Sequence, residues 1–478
     1  MHRAIRKKVA LSQVAPIPGP FVESMPDFWL FEPLDPAATL RTTMETQALT
    51  EAEQRAVISK ITWRLIPLLF LCYIVAYIDR INVGFAKDHL EPVLGVDPKI
   101  FGDVFGTGAG LVFSGYFLFE VPSNLALQRF GARVWIARIM IVWGIVSVGF
   151  MFLNGKTSFY ILRFLLGAAE AGFFPGIILY LTFWYPAKER AKTVALFALG
   201  GIAAGIVGSP LSGKLLEMDG VLGMAGWRWM FLLEAIPAII LGVVVFLWLP
   251  NGPGEVKWLG DREKGWLQGK LEEEAVEVPG VKYRLADAFS DFRVWLLCGL
   301  YFLVNVAGYG YEFWAPSLLK TLLPGADSSE LGWWNTPAYV AAGVAMLLVG
   351  RHSDRTGERR FHVAIPAAIA ACGALLGAFA GNPWLGMVGM VILLAGQKST
   401  LGPFWALGTA ALRGTAAAGG IALINSVGNL GGYFGPKIVG IIKDKTSSDS
   451  TVLLFLGGAL LLLGALALVL KPAQKPAV

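Results

Sequence analysis

Six charged side chains stand out because they interrupt runs that otherwise read as lipid-buried. Asp79 and Arg80 are adjacent within Leu65–Phe85, Arg163 and Glu170 lie seven residues apart in a second run, and Glu312 and Lys398 fall in two more. An ionised side chain at mid-membrane costs roughly 2.5 to 3.5 kcal/mol on insertion scales, so such residues face a water-filled path or a buried partner. Arginine stays protonated and holds a carboxylate through two parallel hydrogen bonds, which makes Arg80 and Arg163 candidates for binding an anion. Proton affinity of a buried carboxylate changes when an anion arrives at a neighbouring guanidinium, and Asp79 and Glu170 fit that coupling role. On one helix Tyr73, Tyr77 and Arg80 share a stripe, whereas Asp79 is turned about 100° toward a neighbouring helix. Arg163 and Glu170 share a face about 10 Å apart in depth. The plainer alternative is a static salt-bridge lattice between helices.

These residues must be positioned by membrane-spanning helices. The chain has 478 residues, 55% hydrophobic and 15% charged, with mean hydropathy +0.60. Apolar stretches of about 20 residues, the length a hydrocarbon core demands, recur along nearly all of it. The expected fold is therefore an all-α polytopic membrane protein. Runs between turn and charge clusters place twelve spans, at about 61–85, 101–127, 131–153, 158–184, 189–216, 227–249, 293–320, 330–350, 361–380, 383–412, 415–442 and 451–470. Two six-helix halves, 49–249 and 293–470, are joined by a polar linker, 250–292, whose Trp258, Leu259, Trp266 and Leu267 are spaced to lie on a membrane surface. Residues 1–48 read as a disordered tail and 471–478 as a second, shorter tail. Thr50 and Glu53 have capping-box spacing ahead of span one.

Charge sets the orientation. Arg129, Arg133, Arg138, Lys188, Arg190, Lys192, Arg351, Arg355, Arg359 and Arg360 crowd one set of alternate loops, so both termini and the linker are expected on the cytoplasmic side of the plasma (inner) membrane. The net charge of +6 is scattered over loops rather than gathered in a stripe, which argues against nucleic acid. Cys72, Cys298 and Cys372 offer no disulfide framework or zinc spacing, and no metal, cofactor or nucleotide motif is present.

A repeat links the halves. Gly350, Asp354, Arg355, Gly357, Arg359 and Arg360 between spans eight and nine match Arg129, Gly131 and Arg133 between spans two and three in spacing. The N-terminal copy has Asn124 and Gln128 where the pattern has Gly and Asp, so it lacks the acid of a charge-dependent latch. Simple positive-inside anchoring is the plainer role for both loops. The pattern resembles the loop signature of the major facilitator superfamily, whose members have twelve transmembrane helices in two pseudo-symmetric halves. Longer strings resemble its anion:cation symporter family: YIDRINVGFA from Tyr77, GYFLFEVPSNLALQRFGAR from Gly115, RFLLGAAEAGFFPG from Arg163, GWRWMFLLEAIPA from Gly226 and YGYEFWAPSLLK from Tyr309. That resemblance implies uptake of small organic anions with protons, by carriers for tartrate, phthalate, hydroxyphenylacetate and sugar acids. It also implies that the proton sites are Asp79 and Glu170.

In a two-half carrier built of inverted triplets, spans one, four, seven and ten line the cavity, and the six charges fall on those four. Lys398 and Glu312 depart from the small or neutral residues of the family pattern. Lys398 could add a positive charge for a dicarboxylate, or the two could pair with each other. Asn305 and Asn425 are ligand candidates or helix glue; Tyr116 and Trp405 could stack on a substrate or simply pack. The reading is thus a monomeric secondary carrier for a small organic carboxylate, working with protons in a lipid bilayer by alternating access. A transporter-like sensor that binds without net transport is the alternative, and an enzyme is the weakest reading.

Overall fold

Thr50 starts the first helix as its spacing requires: its side chain accepts from the Glu53 backbone N–H while the Glu53 carboxylate accepts from Thr50 N–H at 2.7 Å. The computed structural model describes residues 49–276, 290–411 and 416–470, so the two expected tails and the end of the linker lie outside the described residues. Span one comprises α1 (Glu51–Ile81) and α2 (Val83–Leu94), followed by α3 (Phe101–Phe130) and α4 (Ala132–Gly149). Span four comprises α5 (Gly155–Glu170) and α6 (Phe173–Thr182); α7 (Ala187–Leu216) and α8 (Gly226–Trp248) complete the first half. The linker contributes α9 (Asp261–Val276). In the second half, span seven is α10 (Phe292–Glu312) with α11 (Ala315–Leu322), then α12 (Ser328–Thr356) and α13 (Arg360–Ala378). Span ten is α14 (Pro383–Ser399) with α15 (Leu401–Ala411), span eleven α16 (Ala416–Asn429) with α17 (Gly431–Thr446), and span twelve α18 (Asp449–Val469).

Among the described residues there is no strand, and ten spans are long and apolar enough to cross a membrane. The other two have physical reasons to fall short. Span eight has no charge between Leu331 and Gly350 but opens on Trp333, Trp334, Asn335, Thr336 and Pro337, which lower its hydropathy, and span eleven is divided at Leu430 into two helices each too short alone. The twelve-helix fold stands, and its pseudo-symmetry is visible in the packing. Spans three and six, two and four, and one and five pack closely in the first half; nine and twelve, eight and ten, and seven and eleven do so in the second. Span two meets eleven and span five meets eight across the interface between halves.

Glycine makes that interface close. A Cβ at Gly102 would lie 2.5 Å from the Gly440 carbonyl oxygen and one at Gly332 would lie 2.3 Å from that of Ser209, so backbone touches backbone. These contacts lie at the membrane face opposite the Thr50 end of span one. There Asp444 accepts from the free N–H groups of Gly102 and Asp103 at 2.7 and 2.6 Å, capping α3 from the other half.

Each opening span of a triplet, one, four, seven and ten, is interrupted beside a charge. Span one loosens at Asn82, two residues after Arg80; span four breaks at Ala171, after Glu170; span seven at Phe313, after Glu312; span ten at Thr400, two residues after Lys398. Gly172 supplies a φ of 83° that turns the chain out of α5. Pro316 and Pro403 have no N–H to return to the carbonyls of Glu312 and Ser399.

The linker corrects an expectation. Leu259 and Leu267 are buried against the protein rather than turned to a membrane surface, Trp258 stacks on Trp184 with centroids 5.9 Å apart, and Glu263 pairs with Lys60 at 2.9 Å. Facing residues on spans one and four give its apolar side a protein partner.

Candidate functional site

The first-half pair joins spans one and four. Arg80 Nη2 donates to Glu170 Oε1, and Arg80 Nη1 donates to the Tyr309 hydroxyl at 3.0 Å across the interface. The rings of Tyr77 and Tyr116 lie 5.7 and 6.0 Å from the guanidinium carbon, which favours the cation. Both members are largely buried, with side-chain exposures of 12% for Arg80 and 3% for Glu170. A pair this buried is held only because its charges are mutually satisfied; removing one partner leaves an uncompensated charge.

The second-half pair answers a question the sequence left open. Lys398 Nζ lies 2.9 Å from Glu312 Oε1, joining spans ten and seven. Tyr77 of span one binds both, accepting from Lys398 Nζ at 3.0 Å and donating to the Glu312 carboxylate at 2.9 Å. Tyr339 also donates to Glu312, at 3.3 Å. Thus one cluster brings together residues from spans one, four, seven, eight and ten.

Asp79 faces away from Arg80, as its angular offset requires. Its Oδ2 accepts from Trp143 Nε1 of α4 at 2.6 Å, while Oδ1 is buried without a hydrogen-bond partner. Arg163 is fully buried and turned to span two, where Nε donates to the Gly108 carbonyl at 3.3 Å and Nη2 to that of Ala109 at 2.9 Å. It reaches them because a Cβ at Gly167 would overlap the Val112 carbonyl, so spans two and four are in backbone contact. Phe313 lies 5.5 Å from the guanidinium carbon, and Nη1 keeps an unpartnered donor.

The remaining candidates are spread more widely. Asn305 Nδ2 donates to the Gly428 carbonyl at 3.0 Å within the second half, and Trp405 packs edge-on against Tyr301 at 5.0 Å. Asn425 Nδ2 donates to Glu120 Oε1 at 2.6 Å, linking spans eleven and two. Glu120 escaped the sequence reading, as did Glu234, which accepts from Asn82 at 2.8 Å and from Ser212 at 2.7 Å. Both are carboxylates inside apolar runs, and that alone could have marked them; a search limited to the first helix of each triplet passes over spans two and six. Among the described residues no group of three or more metal-ligating side chains could hold a metal.

At the cytoplasm-assigned ends, Gly131 and Gly357 terminate α3 and α12 with φ of 84° and 71°. Arg359 pairs with Asp354 at 2.7 Å. In the first half Arg133 finds its acid outside the motif, pairing with Glu255 of the linker at 2.7 Å and donating to the Leu249 carbonyl. Arg360 likewise donates to the carbonyl of Leu470. Arg129 lies over Phe130, Arg355 falls in the last turn of α12, and a Cβ at Gly350 would meet open space.

Residues 69–436 match the family model described as Major Facilitator Superfamily. The chain is 46% identical over 434 residues to a protein of Agrobacterium vitis named "Putative tartrate transporter", covering 91% of this chain and 95% of that one. It is 40% identical to the "Quinolone resistance transporter" of Acinetobacter baumannii, over 84% of this chain and 92% of that one. Among solved structures, the D-xylose-proton symporter superposes with TM-score 0.70 at 17% identity, covering 86% of this chain and 98% of that one, a likeness of fold alone.

Proposed function

Since the chain belongs to the Major Facilitator Superfamily and is a multi-pass membrane transporter, we propose that it takes up a small organic carboxylate together with protons by alternating access. The observation that carries this reading is the buried Arg80–Glu170 pair at the breaks of spans one and four. An incoming carboxylate competes with Glu170 for the guanidinium fork. Once displaced, the Glu170 carboxylate is buried without its cation, and taking a proton removes the cost of that charge. Release to the cytoplasm lets Arg80 recover Glu170, which gives up the proton there. Asp79, with one unpartnered oxygen, shares the single proton of this reading with Glu170, and the free Nη1 of Arg163 is a second donor for the anion.

Hydroxy acids of the tartrate type suit the site, since one tyrosine hydroxyl bonds to each cation. The name of the Agrobacterium vitis relative points the same way. The protein acts as a monomer in the plasma membrane with its termini and linker in the cytoplasm. Glu170→Gln tests the coupling in proteoliposomes. Counterflow of labelled tartrate should persist while accumulation driven by a proton gradient falls well below wild type; normal accumulation would refute the role of Glu170.

A further inference from the structure

The second half holds its own cation–carboxylate pair, and it is built like the first. Lys398 and Glu312 are buried to 8% and 4% exposure, each beside a helix break, with Tyr77, Tyr339 and each other as their polar partners. The Arg80 guanidinium carbon and Lys398 Nζ lie 5.7 and 5.5 Å from the centroid of the same Tyr77 ring, so the sum of those distances bounds their separation. An extended four-carbon dicarboxylate with a hydrogen bond at each end spans about that maximum separation. One such dianion can therefore reach a cation in each half.

We infer that Lys398 and Glu312 form a second carboxylate-and-proton site, so that the carrier selects dicarboxylates and moves two protons with each. The inference rests on the proton-coupled reading of the Arg80–Glu170 pair. One substrate carboxylate takes Arg80 and displaces Glu170; the other takes Lys398 and displaces Glu312. Each displaced carboxylate binds one proton from the outer side, because an unpaired buried carboxylate is strongly disfavoured. On the inner side the dianion leaves, Arg80 and Lys398 recover their carboxylates, and both protons are released. Two protons with one dianion carry no net charge.

The test uses the full chain in proteoliposomes, with tartrate as dicarboxylate and glycerate as monocarboxylate. The substrate and proton gradients that balance at zero flux give the stoichiometry. Wild type should move two protons per tartrate and be indifferent to an imposed membrane potential. Glu312→Gln should move one, making tartrate uptake potential-dependent. The paired variant Glu312→Gln/Lys398→Met removes both buried charges together, which guards against misfolding from an unpaired one. Its tartrate affinity should fall roughly ten- to hundredfold, the worth of a hydrogen bond to a charged group, and its preference for tartrate over glycerate should fall with it. Two protons per tartrate in Glu312→Gln, or an intact preference for tartrate in the paired variant, would overturn the inference. One proton per tartrate in wild type would remove the second site while leaving the first, whereas carboxylate transport with no proton would refute the proton-coupled reading and this inference with it.

Discussion

The two halves carry the same interaction with opposite polarity. In the first, the cation stands on the opening span and the carboxylate on the fourth, Arg80 with Glu170; in the second, Glu312 stands on the opening span and Lys398 on its fourth. One turn before each opening-span charge is a tyrosine, Tyr77 before Arg80 and Tyr309 before Glu312, and each crosses to the other half's pair. Neither pair is therefore private to its half. A motion of one half against the other must disturb both, which gives alternating access a way to feel how each pair is occupied. The cations differ as well. Arginine offers a planar fork with several fixed donors, whereas lysine is a point charge held by one carboxylate oxygen and one hydroxyl. On the proposed reading the first half thus fixes orientation and the second adds charge.

Swapping the polarity of the first pair is the strongest way to break this comparison. Arg80→Glu alone puts two carboxylates where one ion pair stood, so thermal unfolding in detergent should show a loss of about 3 to 5 kcal/mol or more. Adding Glu170→Arg restores an ion pair with second-half polarity and should recover most of that loss. Transport should not return, because the guanidinium then sits on span four, away from Tyr309. Recovery of both stability and uptake would mean that polarity is interchangeable and the difference between halves has no functional content.

A smaller effect compares the crossing tyrosines. Tyr77→Phe removes bonds to both Lys398 and Glu312, and Tyr309→Phe removes one to Arg80. A hydrogen bond to a charged group is worth about 1.5 to 3 kcal/mol. Tyr77→Phe should therefore weaken substrate binding and thermal stability more than Tyr309→Phe. The reverse order, measured by ligand-induced thermal shift, would place the main cross-half linkage on the arginine side.

Much of this was legible in the sequence, and the rest was hidden for identifiable reasons. Apolar length gave the spans, and the cost of a buried charge marked spans one, four, seven and ten, though the same cost applies to Glu120 on span two and Glu234 on span six. The offset of Asp79 from Arg80 followed from helix geometry alone. What periodicity could not show is which partner a buried charge selects. Arg163 is held by the carbonyls of Gly108 and Ala109, and backbone acceptors leave no mark in a sequence. Nor is the Trp143 indole distinguishable from a packing aromatic until α4 is placed beside span one. The linker misled because an apolar stripe reads the same whether lipid or protein covers it. Glu255 was invisible as the partner of Arg133 because it lies 122 residues away in sequence.

That ion pair gives the smallest effect and compares the halves at their exposed ends. Arg133–Glu255 and Arg359–Asp354 are both 2.7 Å pairs, but Glu255 also accepts from the backbone and side-chain amides of Asn251 at 3.0 Å. Those hydrogen bonds, with Arg133 behind them, hold its carboxyl below the ordinary glutamate value. A carboxyl lowered on folding stabilises the fold above its unfolded pKa, and that contribution disappears as pH falls through the folded value. Because the group is solvent-exposed, screening limits the pair to about 1 kcal/mol or less. Glu255→Gln should thus lower thermal stability slightly near neutral pH and match wild type once the solution is acidic enough to protonate Glu255. Asp354→Asn, which lacks such a cage of amides around its acid, should show a smaller gap from wild type at neutral pH. Equal gaps would mean that the linker contributes no more to closing the first-half loop than the motif's own aspartate does in the second.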